Sequence, residues 1–298
     1  MAEPRPRIMA VANQKGGVGK TTTAINLGAA LARRERRVLV VDLDPQGNAS
    51  TGLGIPPDRR ERSSFDLLLG EASPEEAALE TSTPGLLVVP ATSDLSSADM
   101  QLGGRQGRVT LLRGALRQPG MAQLDLDYVL IDCPPSLNVL TLNALVAAHS
   151  VLVPLQSEFF ALEGLSQLML TVREVRQTLN PGLRIEGVAL TMVDRRTSLA
   201  QQVEEDARAN LGNLVFQTVI PRNVRLSEAP SHAVPVLDYD PASASPPTGA
   251  SGPPSTSCSG RRAPRRPRLP PPPRASSWCR RPRTCHRPTC SSAGGRGA

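Results

Sequence analysis

Gln14-Lys15-Gly16-Gly17-Val18-Gly19-Lys20-Thr21-Thr22 holds the only two lysines of the chain; the rest of its 34 basic side chains are arginine. An ammonium is a compact point charge on a flexible stem, whereas a guanidinium is a wide planar fork. A loop that wraps a polyphosphate has room for the first, and lysine stands where such a loop would require it. Upstream, the apolar run Ile8–Asn13 reads as a strand. From Thr21 onward the pattern is helical, with Ile25 and Leu31 facing inward. Strand, glycine-rich loop, Lys-Thr and helix together make a phosphate cradle. The backbone N–H groups of Gly16, Gly17, Val18 and Gly19 and the positive helix end face an anion. Lys20 reaches the β- and γ-phosphates, and the Thr21 hydroxyl, with Thr22 behind it, ligates Mg²⁺; the expected ligands are ATP and Mg²⁺. The strict P-loop spacing has glycine where this chain has Gln14, and this chain adds a second lysine at 15.

Working outward, Val38–Leu43, Leu86–Pro90, Tyr128–Cys133, Val151–Leu155 and Ile185–Val193 read as further buried strands, rich in Val, Ile and Leu. Amphipathic stretches lie between them. One carries Leu162, Leu165, Leu168, Val172, Val175 and Leu179 on one face and is stopped by Asn180-Pro181-Gly182. Such alternation predicts an α/β fold, a mainly parallel sheet with helices on both faces. Ligands in these sheets bind beyond the carboxyl ends of the strands.

Two aspartates fall at those ends. Asp44, just past a strand in Leu43-Asp44-Pro45-Gln46-Gly47-Asn48, can orient a water for in-line attack on the γ-phosphate; a turn or helix-cap role is its plain alternative. Asp132 closes the apolar run Tyr128–Ile131 in a Walker B arrangement and would hold the magnesium. An unpaired charge there would be costly, and a buried salt bridge is the alternative. Cys133 reads as packing.

Charge divides the chain in two. Residues 242–298 hold 11 of the 34 basic side chains and none of the 27 acidic ones, so residues 1–241 carry 23 against 27, a net of −4. The tail has a single Leu (Leu269) and no Ile, Val, Phe, Met or Tyr, too little apolar surface to offset chain entropy. Its Cys279, Cys285, His286 and Cys290 match no paired zinc spacing. A basic nucleic-acid arm is a second reading. GC-rich DNA yields this composition in almost any frame, so the tail reads as a disordered or frameshifted segment after Pro241. Residues 1–241 suffice for one domain with a sizeable core. No run of 18 apolar residues spans a membrane, Ile8–Ala12 is too short for a signal peptide, and one body cysteine, Cys133, fits a reducing, cytoplasmic compartment.

Lys-Gly-Gly-Val-Gly-Lys-Thr-Thr resembles the deviant Walker A box of the ParA/MinD ATPase superfamily. Asp42–Asn48, Glu158–Gly164, Thr191–Asp194 and Ile220–Ser231 are similar to chromosomal ParA proteins of the Soj type. The resemblance runs from Ile8 to Pro241. It implies a slow, partner-stimulated ATPase that dimerises on ATP, binds double-stranded DNA without sequence preference and partitions chromosomes with a ParB-type centromere-binding partner, in the cytoplasm and on the nucleoid. By this resemblance Lys15 crosses the dimer interface to the partner's nucleotide, Asp44 holds the lytic water and Asp42 sits near the metal. Glu158 and Glu163 lie near the dimer partner and ribose, and Met192, Pro221 and Asn223 line the adenine pocket. Only seven residues precede the first strand, which implies the short kind without an N-terminal helix-turn-helix domain. Family members continue past Pro241 with two helical segments, which the tail replaces here.

The same pattern gathers Arg195, Arg196, Arg222 and Arg225 for phosphate contacts, which are electrostatic and sequence-independent; solvated surface arginines are the alternative. Few aromatics stand nearby to stack single-stranded bases. A MinD-like membrane-associated ATPase that positions cell division is the alternative function, but Pro221-Arg-Asn-Val-Arg-Leu-Ser-Glu228 favours ParA and no membrane. An iron–sulfur reductase would need two cysteines per subunit, and the body offers Cys133 alone.

Overall fold

Along the central strands, alternate side chains enter two different cores. Ile8 and Ala10 face one side and Met9 and Val11 the other; Leu39 and Val41 alternate with Val38 and Val40 in the same way. A strand buried on both faces reads as a continuous apolar run, which is why these segments were legible as parallel strands. The structure is a computed structural model that describes residues 6–157, 161–194 and 196–241, with the backbone alone for 161–163. The chain divides into two units, Met1–Thr248 and Gly249–Ala298. The second unit, and with it the tail from residue 242, lies outside the described residues.

Among the described residues, seven strands form one sheet: β1 (Arg7–Val11), β2 (Val38–Asp42), β3 (Leu79–Glu80), β4 (Leu86–Val89), β5 (Tyr128–Asp132), β6 (Ser150–Gln156) and β7 (Arg184–Thr191). Their order is β3-β4-β2-β5-β1-β6-β7, parallel throughout except for the edge pair β3–β4. The long helices are α1 (Lys20–Ala32), α7 (Val139–Ala147), α8 (Ala161–Thr178) and α9 (Ser198–Leu211). Shorter ones are α2 (Asn48–Gly52), α3 (Ser64–Leu69), α4 (Pro74–Ala77), α5 (Ala98–Leu102), α6 (Leu111–Ala115), α10 (Val224–Glu228) and α11 (Val236–Tyr239).

Helices cover both faces. Ala24, Ile25 and Ala29 of α1 pack with Val38, Val40 and Leu130, while Leu140 and Leu145 of α7 and Leu165 and Leu168 of α8 pack with Leu39, Val41 and Ile131. At Gly28 a Cβ would stand 3.0 Å from Leu86 Cδ1, so the absent side chain sets how closely α1 lies on the sheet. β1 sits between β5 and β6, and the order reverses around it, so the crevice past its carboxyl end is the topological switch point.

All six sequence-read strands are present, one or two residues shorter at several ends. The last stops at Thr191 because Met192 has φ +54°, which breaks an extended strand. The seventh, β3, has two residues and left no periodicity to read.

Candidate active site

The loop between β1 and α1 turns at two glycines with positive φ, Gly17 (+73°) and Gly19 (+86°). Gly19 begins α1 without a side-chain cap, so no side chain takes the first-turn N–H groups that would meet an anion. Three bonds fix the loop. Asn13 Nδ2 donates to Pro154 O on β6 at 2.7 Å, and Lys15 N donates to Asn13 Oδ1 at 3.0 Å. Thr191 Oγ1, at the end of β7, donates to Val18 O at 2.9 Å. Lys20 is buried and its Nζ donates to Lys15 O at 3.1 Å, spanning the loop it would clamp on phosphate. Burial pulls the Lys20 pKa below its ordinary value, and Asp132, Cys133 and Asp44 hold it up. Lys15 is half-buried, and Gly164 on α8 lies so close that a Cβ there would stand 3.8 Å from Lys15 Cβ.

The acids lie on the neighbouring strand ends, where Asp42 and Asp132 are register partners on β2 and β5. Asp42 is engaged on both oxygens. Ser50 N and Oγ donate to Oδ2 at 2.8 and 2.7 Å, and Asp44 N donates to Oδ1 at 3.1 Å. Burial, opposed by the Ser50 bonds, pushes its carboxyl up to about 6. Asp132 differs: both oxygens are fully buried without a hydrogen-bond partner among the described residues. Burial first, then the Asp42 charge, raises its pKa well above the carboxylate range; the Thr21 hydroxyl and Lys20 oppose the rise. The Thr21 hydroxyl is near enough to lower this pKa, while neither Asp132 oxygen has a hydrogen-bond partner among the described residues. Two open, buried oxygens beside a helix-start threonine and an ammonium fit a hydrated divalent cation held on a phosphate chain. Among the described residues no group of three or more His, Cys, Asp or Glu could hold a metal ion. Asp44 is buried to within 8 % exposure and stands in a tight turn, its Oδ1 accepting from Gln46 N at 3.0 Å. Cys133 is buried and its thiol pKa raised by burial, which makes it inert packing.

Met192, Pro221 and Asn223 come together with Gly19, Thr22 and Asn26 in a cavity of ≈ 910 Å³. Met192 takes a left-handed backbone that a methionine rarely adopts, and its Cε lies 3.8 Å from where a Gly19 Cβ would be. Arg222 N bonds Val193 O at 3.2 Å, which sets Arg222 beside Asp194 and Arg196. Arg196 forks onto Asp194 at 2.9 and 2.8 Å, and Arg225 pairs with Glu228 at 2.8 Å and with Asp240 at 3.7 Å. The Arg196 bonds hold the Asp194 carboxyl down to about 2. Glu158 and Arg195 lie outside the described residues, as does the side chain of Glu163 on α8. Sequence reading missed Asn13, Ser50 and Thr191. Ser50 carried a signal, a small hydroxyl in Asn48-Ala49-Ser50-Thr51 just after the acidic loop; Asn13 and Thr191 end apolar strands and looked like strand residues.

Fold and site together define a P-loop nucleotide-binding protein. The AAA domain family matches residues 6–185. Over 234 residues the chain is 59% identical to the chromosome partitioning protein ParA of Caulobacter vibrioides, covering 78% of this chain and 87% of that one. It is 54% identical over 243 residues to the chromosome-partitioning ATPase Soj of Thermus thermophilus, covering 82% and 92%. Among solved structures, a cobyrinic acid a,c-diamide synthase from Mycobacterium smegmatis with bound ADP and magnesium is 44% identical with a TM-score of 0.68, covering 76% of this chain and 92% of that chain. The chain belongs to the ParA/Soj family of chromosome-partitioning ATPases. No helix of the described residues is long and apolar enough to cross a membrane.

Proposed function

We propose that residues 1–241 form a slow ATPase that dimerises on ATP, binds double-stranded DNA without sequence preference and partitions chromosomes with a ParB-type partner, on the nucleoid in the cytoplasm. The observation that carries the chemistry is Asp132, a buried carboxyl whose two oxygens have no hydrogen-bond partner among the described residues, beside Lys20 and Thr21. The ADP and magnesium of the Mycobacterium smegmatis structure support the same ligands here. Lys20 binds the β- and γ-phosphates, and the loop N–H groups from Gly16 to Thr22 orient them. Thr21 and Asp132 would hold Mg²⁺, with Asp42 behind them; bound there, the metal neutralises charge on the phosphates. Asp44 orients the attacking water. Met192, Pro221 and Asn223 enclose the base, and Glu158 and Glu163 serve the ribose and the dimer partner.

Lys15 supplies the coupling. A cation that reaches the nucleotide of a facing subunit adds an electrostatic bond that exists only in the dimer, so ATP joins two subunits and hydrolysis releases them. Turnover is slow alone and rises with DNA and the basic N-terminal peptide of a ParB-type partner. Lys20→Ala should abolish nucleotide binding. Lys15→Ala should keep binding while losing dimers, and Asp44→Ala should accumulate them. Light scattering with ADP and with ATP reads this directly, and equal dimer content in the two would rule the scheme out. The reading of a DNA surface rests on Arg196 between β7 and α9, Arg222 just before α10 and Arg225 on α10, with Arg195 beside Arg196 in sequence. Their carboxylate partners are exposed ion pairs of small net worth, which phosphates can displace.

A further inference from the structure

Arg60 lies outside the nucleotide site, yet two chains of hydrogen bonds lead from its guanidinium to the two acids of β2 and the following turn. Nε and Nη2 donate to Ile55 O at 3.1 and 2.8 Å, Nη2 donates to Thr51 Oγ1 at 2.8 Å, and Nη1 donates to Ala91 O at 3.0 Å. On one branch, Ala91 N donates to Ser50 Oγ at 2.9 Å, and Ser50 donates to Asp42. On the other, Thr51 N and Oγ1 both donate to Gly47 O at 3.0 Å, and Gly47 N donates to Asp44 O at 2.8 Å. Gly47 has φ +62°, and a Cβ there would collide with Arg60 Nη1. The guanidinium therefore occupies the space a side chain at 47 would need. A planar fork that reaches three acceptors in different segments is work a lysine cannot do.

We propose that Arg60 is a positioning residue for hydrolysis: it clamps the segment from Asp44 to Ile55 against the end of β4, which holds Asp44 aimed at the water and Asp42 turned towards Asp132. This rests on the role of Asp44 given above. Arg60 directs its donors to Ile55, Thr51 and Ala91 and does not line the cavity around Met192, Pro221 and Asn223, so its loss should act on turnover rather than on binding. A displacement of about 1 Å at a reacting group can cost roughly 100-fold, and a loosened Asp44 turn is a displacement of that kind.

The test uses the full chain with ATP and Mg²⁺, reading turnover beside the affinity for a fluorescent ATP analogue. Arg60→Met keeps length and packing and removes every donor; turnover should fall roughly 10- to 100-fold while affinity changes by less than about threefold. Arg60→Lys should recover only part of that loss. Gly47→Ala, which expels the guanidinium, should lower turnover more in the wild-type background than in the Arg60→Met background, where only the strain of a left-handed alanine 3.2 Å from Ala91 O remains. Turnover of Arg60→Met within about twofold of wild type, with Asp44→Ala inactive, would overturn the inference and leave the role of Asp44 standing. So would a loss of turnover that only tracks lost affinity. Wild-type turnover in Asp44→Ala would instead sink the reading beneath it. Should Arg60→Met not fold, Arg60→Lys decides: unchanged turnover overturns the clamp, and reduced turnover at unchanged affinity supports it.

Discussion

Asp42 and Asp132 stand side by side on β2 and β5, fully buried, and Lys20 is the ammonium that acts on Asp132. Without a nucleotide and its cation this arrangement costs stability, because two neighbouring carboxyls out of water cannot both ionise cheaply. Both pKa values are raised, Asp42 from 3.8 to about 6 and Asp132 well above its ordinary value. A carboxyl raised on folding contributes stability that is complete below its unfolded pKa and is lost as pH rises through the folded one. The nucleotide-free chain should therefore lose stability as pH climbs from about 4 through 6. Carboxyls lowered by partners, such as Glu186 and Asp194, act in the opposite sense only below their ordinary values of 4.5 and 3.8. Asp132→Asn removes a carboxyl that ionises freely in the unfolded chain and only at a cost in its buried place, so at pH 7 without nucleotide its melting temperature should exceed that of wild type, by roughly 2–4 °C per kcal/mol gained. The same variant should lose Mg²⁺-dependent ATP binding. A melting temperature below wild type under those conditions would mean the pair is not the source of strain.

At the scale of elements, the link between the phosphate loop and the far side of the sheet is Thr191. Its hydroxyl at the end of β7 donates to Val18 O, while Asn13 ties the start of the loop to β6. Thr191→Val keeps shape and removes that donor. It should cost about 0.5–1.5 kcal/mol of stability and weaken ATP binding by up to about tenfold, read by denaturant titration and by fluorescent-nucleotide affinity. Unchanged affinity would leave Thr191 as a core residue alone. Elements of this kind were legible from the chain because β1, β2, β5 and β6 are buried on both faces and α8 shows Leu165, Leu168, Val172 and Val175 at helical spacing. The positions of Lys15, Lys20, Asp44 and Asp132 were legible because Lys15 and Asp44 lie in loops that follow strands, Lys20 opens the next helix and Asp132 closes an apolar strand. Thr191 and Arg60 were not, since their roles are bonds between elements distant in sequence, and nothing local in Asp58-Arg59-Arg60 marks what the end of β4 will bring to it.

For the whole molecule, the proposed DNA binding asks how a body of net charge −4 would hold a polyanion. Long-range attraction is weak, so on the proposed function a local patch doubled by dimerisation would have to supply the affinity, and DNA binding would then be conditional on ATP. Each dimer would present two copies of Arg195, Arg196, Arg222 and Arg225. With four to six phosphates neutralised, log K should fall with log[salt] at a slope of about −4 to −5. Arg196 and Arg225 leave Asp194 and Glu228 to do so, which costs little for exposed pairs. No sequence preference is expected, because phosphate contacts carry no base information. Arg225→Ala should weaken binding to all sequences alike and flatten the slope by up to about two units, one per subunit. Filter binding across a salt series, with ATP, ADP and no nucleotide, reads all three statements. The tail after Pro241 carries 11 arginines and must be separated from the patch. Since a bare truncation after Pro241 risks poor folding, the decisive chain carries a family-like C-terminal segment in place of residues 242–298. If ATP-independent binding survives Arg196→Ala and Arg225→Ala in the full chain yet vanishes when the tail is replaced, the tail is the DNA-binding element and the patch is a set of solvated arginines.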